Sequence, residues 1–378
     1  MKVVHVVRQY TPSLGGMEEV VRSLVQHQQT HTRYRPTVVT LDRVFRTRDQ
    51  QLPRAEVLDG VPVRRLAFRG SERYPLCPQV LQALQGADLV HVHAIDFFFD
   101  YLALTNWVHR KPLIASTHGG FFHSGFAPRL KQLYFRTVTR CSAHAYGRIV
   151  ATSENDGALF KAVVSPQKLC VIENGVDTLK FSDAALGHLA PTLIYFGRWS
   201  TNKGILEMLD VLAALVQQQP DTPWKLILAG RAYDLDASAI ATQAALRGVA
   251  SQVEVVAEPD NATLRRYIAT ASYFFCLSRH EGFGIAPIEG MSAGLTPLLS
   301  PIPPFRHLVE ATGVGLVLDA DSAAGRAEQI CYLHQRRLAQ PGGYLRSRSA
   351  ARAAAERYAW SEVADRYTQQ YDQILAAT

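Results

Sequence analysis

Two carboxylates eight residues apart, Glu281 and Glu289, bracket the run Glu281-Gly282-Phe283-Gly284-Ile285-Ala286-Pro287-Ile288-Glu289. Pro287 suits the first turn of a helix, where its fixed φ is helical and its missing N–H would have no partner. A helix is therefore expected to begin near Pro287. Before it, Gly282 and Gly284 leave the N–H groups of residues 283 to 286 open to an anion at the positive helix end. One carboxylate ahead of this loop can accept hydrogen bonds from sugar hydroxyls, and one in the first helical turn can take both hydroxyls of a ribose. The pattern therefore points to a sugar nucleotide. A lone carboxylate of either kind would read as a solvated loop acid or a helix N-terminal acid. Two framing a glycine loop, after the apolar run Tyr273-Phe274-Phe275-Cys276-Leu277, are read as a site.

A second constellation is Gly197-Arg198-Trp199-Ser200-Thr201-Asn202-Lys203-Gly204, whose two cations could stabilise charge developing on a leaving diphosphate without a metal. A solvated basic loop is the alternative, but it leaves the nearby glycine loop unexplained. Two further loops are singled out. Tyr10-Thr11-Pro12-Ser13-Leu14-Gly15-Gly16-Met17-Glu18-Glu19 is a glycine turn entering a helix, suited to an acceptor or a phosphate. In Ser116-Thr117-His118-Gly119-Gly120 a histidine is lifted to a sheet edge, as a ligand contact or as a plain loop residue.

The elements that must hold these loops are strands alternating with helices. Val3 to Val7, Thr37 to Leu41, Leu89 to His93, Leu113 to Ser116 and Ile149 to Thr152 read as strands in the first half. Leu193 to Phe196, Lys225 to Ala229, Val253 to Val256, Tyr273 to Leu277 and Thr296 to Ser300 do so in the second. Strands apolar on both faces and separated by helices imply parallel sheets covered on both sides. The fold class is α/β, with two doubly wound domains joined through Glu173 to Pro191. Ligands in such sheets bind beyond the carboxyl ends of the strands, which is where the loops above fall. The tail from Ala350 to Ala377 reads as one or two amphipathic helices.

A chain of 378 residues with 47% hydrophobic and 19% charged residues fits two ordinary globular domains. Its apolar runs are too short to span a bilayer, and Met1-Lys2-Val3-Val4-His5-Val6-Val7 runs into Arg8 unlike a signal peptide, so a cytoplasmic location is expected. Five scattered cysteines without a C-x-x-C pair suggest neither a disulfide framework nor a zinc cage. The formal charge of +7 is uneven: residues 1 to 150 hold 20 Lys/Arg against 10 Asp/Glu, whereas the remainder hold 20 against 23. The basic first half calls for an anionic partner such as a membrane surface or a phosphorylated acceptor. Nucleic acid is not expected, because dense Lys/Arg runs and RNA-binding aromatic signatures are missing.

Taken in order, Gly15-Gly16-Met17-Glu18, Thr117-His118-Gly119, Asn174-Gly175-Val176-Asp177, Gly197-Arg198 with Lys203-Gly204, and Glu281 with Glu289 resemble the retaining glycosyltransferases of family four, which have the GT-B fold. That resemblance implies two Rossmann-like domains facing a cleft. Residues 1–180 would bind the acceptor, residues 181–355 the nucleotide sugar, and a helix over 356–378 would pack back on the first domain. Arg198 and Lys203 would neutralise the donor diphosphate, Glu289 would hold the ribose, and Glu281 with the amides of Phe283, Gly284 and Ile285 would hold the transferred sugar. His118 would touch that sugar from the other side, and Gly16 and Gly230 would belong to the donor site. No metal or other cofactor is implied.

Val7-Arg8-Gln9-Tyr10-Thr11-Pro12, the run from His93 to Tyr101 and Ser116 to His123 further resemble the GDP-mannose-dependent α-mannosyltransferases of xanthan- and acetan-type exopolysaccharide assembly. Those enzymes extend a cellobiose unit carried on a polyprenyl diphosphate. The resemblance implies transfer of α-mannose through an α-1,3 linkage, at the inner face of the cell membrane. Tyr10, Gly15, Phe121, Phe122, Arg129 and Lys131 are the residues expected to face acceptor or membrane, the last four within a segment that mixes aromatics and cations as an interfacial one would. A helix packed on the core with snorkelling cations is the alternative for that segment.

Four rivals differ in what they require. A nicotinamide dehydrogenase needs a Gly-x-Gly-x-x-Gly fingerprint that Gly15-Gly16 does not supply. A metal-dependent transferase needs an Asp-x-Asp at a strand end, and Asp319-Ala320-Asp321 is read instead as a helix start capped by Asp321 or Ser322. A sugar-nucleotide epimerase shares the fold but would act on donor alone. A non-catalytic sugar-binding protein would have no need of the paired cations and both glutamates.

Overall fold

The computed structural model describes residues 1–13, 15–45, 51–72, 74–119, 132–340 and 342–377. The chain divides into two compact units, Met1–Gly175 with Trp360–Thr378, and Val176–Ala359. The crossovers thus fall at Gly175/Val176 and Ala359/Trp360, a few residues from the boundaries expected from sequence.

In the first unit the strands are β1 (Lys2–Val6), β2 (Arg35–Leu41), β3 (Ala55–Leu58), β4 (Val61–Leu66), a small hairpin of β5 (Arg69–Ser71) and β6 (Tyr74–Leu76), then β7 (Leu89–His93), β8 (Leu113–Ser116), β9 (Arg148–Ala151) and β10 (Leu169–Val171). Eight of them form one sheet in the order β10-β9-β8-β7-β1-β2-β4-β3, parallel except for β3 at the edge. All of β7 and β8 is buried, as strands covered on both faces must be. The first helix, Gly16–His31, turns Val20, Val21, Leu24, Val25 and Gln28 inward at helical spacing. The C-terminal helix, Trp360–Ala376, does the same with Val363, Ala364, Tyr367, Tyr371 and Ile374, which join Val3, Leu24, Leu89, Ile114 and Val150 in one apolar cluster. That helix is therefore a core element of the first unit, although 184 residues of the other unit precede it in sequence.

The second unit has β11 (Thr192–Trp199), β12 (Lys225–Ala232), β13 (Val253–Ala257), β14 (Tyr273–Cys276), β15 (Thr296–Leu299) and β16 (Leu316–Val317), all parallel, in the order β13-β12-β11-β14-β15-β16. The order reverses between β11 and β14 here, and between β1 and β7 in the first unit. At such switch points the loops leaving two adjacent strands diverge to opposite faces and open a crevice. The segment from Glu173 to Pro191 is not a loose linker, since Phe181, Ala184 and Ala185 are buried in the second core. Ser322 caps the helix Ala323–Leu338 by accepting from Gly325 N, and Asp319 accepts from Gln329, so the Asp-x-Asp pair is a helix entrance.

Candidate active site

The two loops at the switch point of the second unit are held together by side chains. Asn202 donates through Nδ2 to the His280 carbonyl at 2.9 Å, and Arg279 N donates to the Asn202 carbonyl at 2.8 Å. Asp234 fixes the other flank by accepting from Thr201 N and Oγ1, both at 2.9 Å. Across this junction Lys203 Nζ lies 2.5 Å from Glu281 Oε1, which also accepts from Ser278 Oγ at 2.7 Å. Lys203 is 20% exposed and Glu281 15%, enough shielding for the pair to be electrostatically strong while open on one side. Arg198 is exposed, with its guanidinium over the Tyr233 ring. Cation, carboxylate and a second cation thus stand around one switch point.

The glycine loop feeds the helix Ile285–Ala293, which begins two residues before Pro287. Pro287 is still in the first turn, but Glu289 lies one turn further along than the sequence suggested. Gly284 caps this helix at φ +96°, and a Cβ there would come within 2.9 Å of the Phe305 ring, so the left-handed cap admits little besides glycine. The first-turn N–H groups therefore face outward without a side-chain cap. The Phe283 ring packs edge-on against Tyr358, leaving its backbone as the part that can meet a ligand; Ile285 is exposed. Glu289 Oε1 accepts from Lys180 Nζ at 3.1 Å. Lys180, Ser278 and Asp234 lie outside the runs that the sequence singles out, because single polar residues in loops carry no spacing signal.

Gly230 sits in register opposite Gly197 on β12 and β11, and its Cβ would lie 1.8 Å from the Gly197 carbonyl oxygen. Glycine at 230 is thus required by the approach of the two strands just before Arg198, which is itself still in β11.

In the first unit, Gly15 is the N-cap of the first helix and Gly16 its first residue, with Glu18 and Glu19 in the first turn. His118 follows β8 in the left-handed region at φ +51°, an uncommon conformation for a residue with a side chain. Its Nε2 is 2.9 Å from His93 Nδ1, and burial brings its pKa down to about 4, so it is a neutral imidazole. Asp96 caps the helix Phe97–Leu104, accepts from Phe98 N at 2.9 Å and pairs with Arg8 Nε at 2.9 Å, yet burial raises its pKa to about 6. Desolvation outweighs the ion pair there.

One expectation is corrected. Tyr10 does not face outward: it is 4% exposed, packed among Val7, Val21, Val25, Val38, Val61 and Val63, and burial raises its hydroxyl pKa to about 12. The sheet's switch point brings residue 10 to the site edge, but the ring finds more apolar area underneath. Phe121, Phe122, Arg129 and Lys131 lie outside the described residues.

Comparison with known proteins places this geometry in a class. Solved glycosyltransferases share the fold over the whole chain: sucrose-phosphate synthase from Thermosynechococcus elongatus (19% identity, 100% of each chain, TM-score 0.70) and Anabaena Alr3699/HepE in complex with UDP and glucose (19%, 99% of this chain and 100% of that one, TM-score 0.68). The architecture is that of the GT-B glycosyltransferases. Residues 14–180 match the family described as Glycosyltransferase Family 4 and residues 180–346 the one described as Glycosyl transferases group 1. The chain is 48% identical to the GDP-mannose:cellobiosyl-diphosphopolyprenol alpha-mannosyltransferase of Xanthomonas oryzae pv. oryzae (strain PXO99A), over 99% of this chain and 97% of that one. It is 43% identical to the protein of the same name in Komagataeibacter xylinus, over 99% and 94%. The chain belongs to glycosyltransferase family 4, in the group that these α-mannosyltransferases form.

Proposed function

We propose that this enzyme moves α-mannose from GDP-mannose onto cellobiosyl diphosphopolyprenol, through an α-1,3 linkage and with retention, as a step of exopolysaccharide assembly. The observation that carries the proposal is 48% identity sustained over 99% of the chain, with the polar residues of both switch points present. In this reading Arg198 and Lys203 stabilise the charge that develops on the diphosphate as the anomeric C–O bond breaks. Glu281 and the amides of Phe283, Gly284 and Ile285 hold the sugar, Glu289 holds the ribose, and Gly16, Gly230 and His118 complete the donor's surroundings. The acceptor hydroxyl attacks from the face that the diphosphate leaves, and its proton passes to the departing phosphate oxygen, so neither a protein base nor a metal is required.

A panel of radiolabelled nucleotide sugars, incubated with the protein and a short-chain cellobiosyl diphosphate lipid, tests this. Label should enter the lipid from GDP-mannose and from no UDP-sugar, at a rate unchanged by EDTA. Conversion of donor without acceptor would favour the epimerase alternative.

The acceptor's diphosphate and surrounding headgroups would give the basic first half an anionic partner. No helix among the described residues is long and apolar enough to cross a membrane. The protein should float with anionic vesicles and detach as salt rises. Salt-insensitive partitioning would contradict the electrostatic part.

A further inference from the structure

A chain of buried polar groups runs beneath His118 through the first unit's core. His118 Nε2 meets His93 Nδ1 at 2.9 Å, His93 Nε2 meets His5 Nδ1 at 3.0 Å, and His5 Nε2 meets Gln28 Oε1 at 2.8 Å. Gln28 Nε2 donates to Tyr371 Oη at 3.0 Å, Tyr371 Oη meets His91 Nδ1 at 2.7 Å, and His91 Nε2 meets Ser116 Oγ at 2.8 Å. The strands account for this alignment. His5 and His91 are in register on β1 and β7, His93 shares a face with His91, and Ser116 is in register with His93 on β8. His5, His91 and His93 have almost no solvent exposure.

Neutral imidazoles can join only if one nitrogen donates and the other accepts, so each ring's tautomer dictates the next. The Gln28 carbonyl oxygen can only accept; His5 must therefore carry its proton on Nε2 and accept on Nδ1. The same logic puts the proton of His93 on Nε2, and then that of His118 on Nε2. Turning the Gln28 amide over would reverse every step.

We propose that Gln28, His5 and His93 are positioning residues that hold His118 as its Nε2–H tautomer, presenting Nδ1 to the transferred sugar as a hydrogen-bond acceptor. The proposal rests on the sugar contact assigned to His118 above. One nitrogen from each of His5, His91 and His93 lies within 4.8 Å of the other two, the spacing of a possible cation site. All six ring nitrogens of the three already have a hydrogen-bond partner, however, so the cluster has no lone pair left for an ion.

The test uses full-length protein labelled with 15N-histidine, whose ring signals distinguish Nε2–H, Nδ1–H and doubly protonated forms. His5, His93 and His118 should all report the neutral Nε2–H form. Gln28→Glu keeps an acceptor facing His5 and should keep that pattern and most of kcat. Gln28→Leu removes the director; His118 should then split between tautomers and kcat should fall in proportion to the Nε2–H fraction lost, about twofold for an even split, with the donor KM little changed. An Nδ1–H or charged His118 in the wild type would overturn the proposal, as would equal impairment by both Gln28 variants. So would stoichiometric zinc retained by the purified protein and lost in His5→Ala. A fully active His118→Ala would instead overturn the sugar contact on which the proposal rests, while the tautomers reported by the wild-type ring signals would stand.

Discussion

Lys203→Ala should lower kcat roughly 10²- to 10³-fold, the usual loss when one preorganised group facing developing charge is removed. The physical reason is the position of Nζ, 2.5 Å from Glu281 at the mouth of a switch point whose β-strands leave no other lysine on that loop. Glu281→Gln keeps the shape and the hydrogen bonds from Ser278 and Lys203 but removes the charge, so its loss should be smaller, about tenfold. The double variant Lys203→Ala/Glu281→Ala separates two accounts of the pair. If Lys203 acts on the diphosphate and Glu281 on the sugar, each single loss is distinct and the double loss approaches their product. If Lys203 only positions Glu281, either single variant already costs as much as both together. The readout is steady-state transfer with each variant's melting curve alongside. Near-wild-type turnover in Lys203→Ala would remove this residue from the mechanism.

The loops of this site were legible in the sequence because glycine and proline punctuate them, and because the second unit's strands are continuous apolar runs. All ten strands expected from such runs are present within a few residues of their expected bounds. The strands that escaped notice are of two kinds. β3 is the sheet edge, and its neighbour β4 carries Pro62, Arg64 and Arg65, with Arg65 buried and bonded to Glu56 and the Thr11 carbonyl, so polarity hid an alternating strand. β5, β6 and β10 are three residues long and β16 two, below what periodicity can register. Tyr10 was misplaced because a post-strand loop fixes where the backbone goes and not which way a ring turns.

The histidine chain was invisible for a different reason. Val-His-Val in β1 and His-Val-His in β7 are polar interruptions of buried strands, and that anomaly was available to notice. Their meeting was not, since it depends on the β1–β7 register and on Gln28 and Tyr371, the last of which is 366 residues from His5 in sequence and on the helix that returns from the second unit.

These same histidines should make the first unit fail in mild acid. Burial lowers the pKa of His5 and of His118 to about 4, and takes His91 and His93 well below their ordinary value. A group whose folded pKa is depressed binds protons more readily when unfolded, so its contribution is intact above pH 6.5 and is lost as pH falls from there toward 4. At pH 5 each of His5 and His118 costs about 2 kcal/mol relative to pH 7, and His91 and His93 act in the same direction. Asp96 opposes them: its folded pKa of about 6 lies above the unfolded value, so acid favours the folded form, by about 1 kcal/mol at pH 5. Asp100 leans the same way as Asp96. The histidines outnumber and outweigh the two acids, and a net loss of several kcal/mol is a large share of an ordinary domain's stability. Among the described residues of the second unit only His334 is a buried histidine, with its pKa lowered to about 4. Hydrogen exchange followed from pH 7 to pH 4.5 should therefore show β1, β7 and β8 losing protection before β11, β12 and β14. Simultaneous loss in both units, or protection of β1 and β7 that persists at pH 4.5, would mean that the imidazoles are not held neutral as their burial requires.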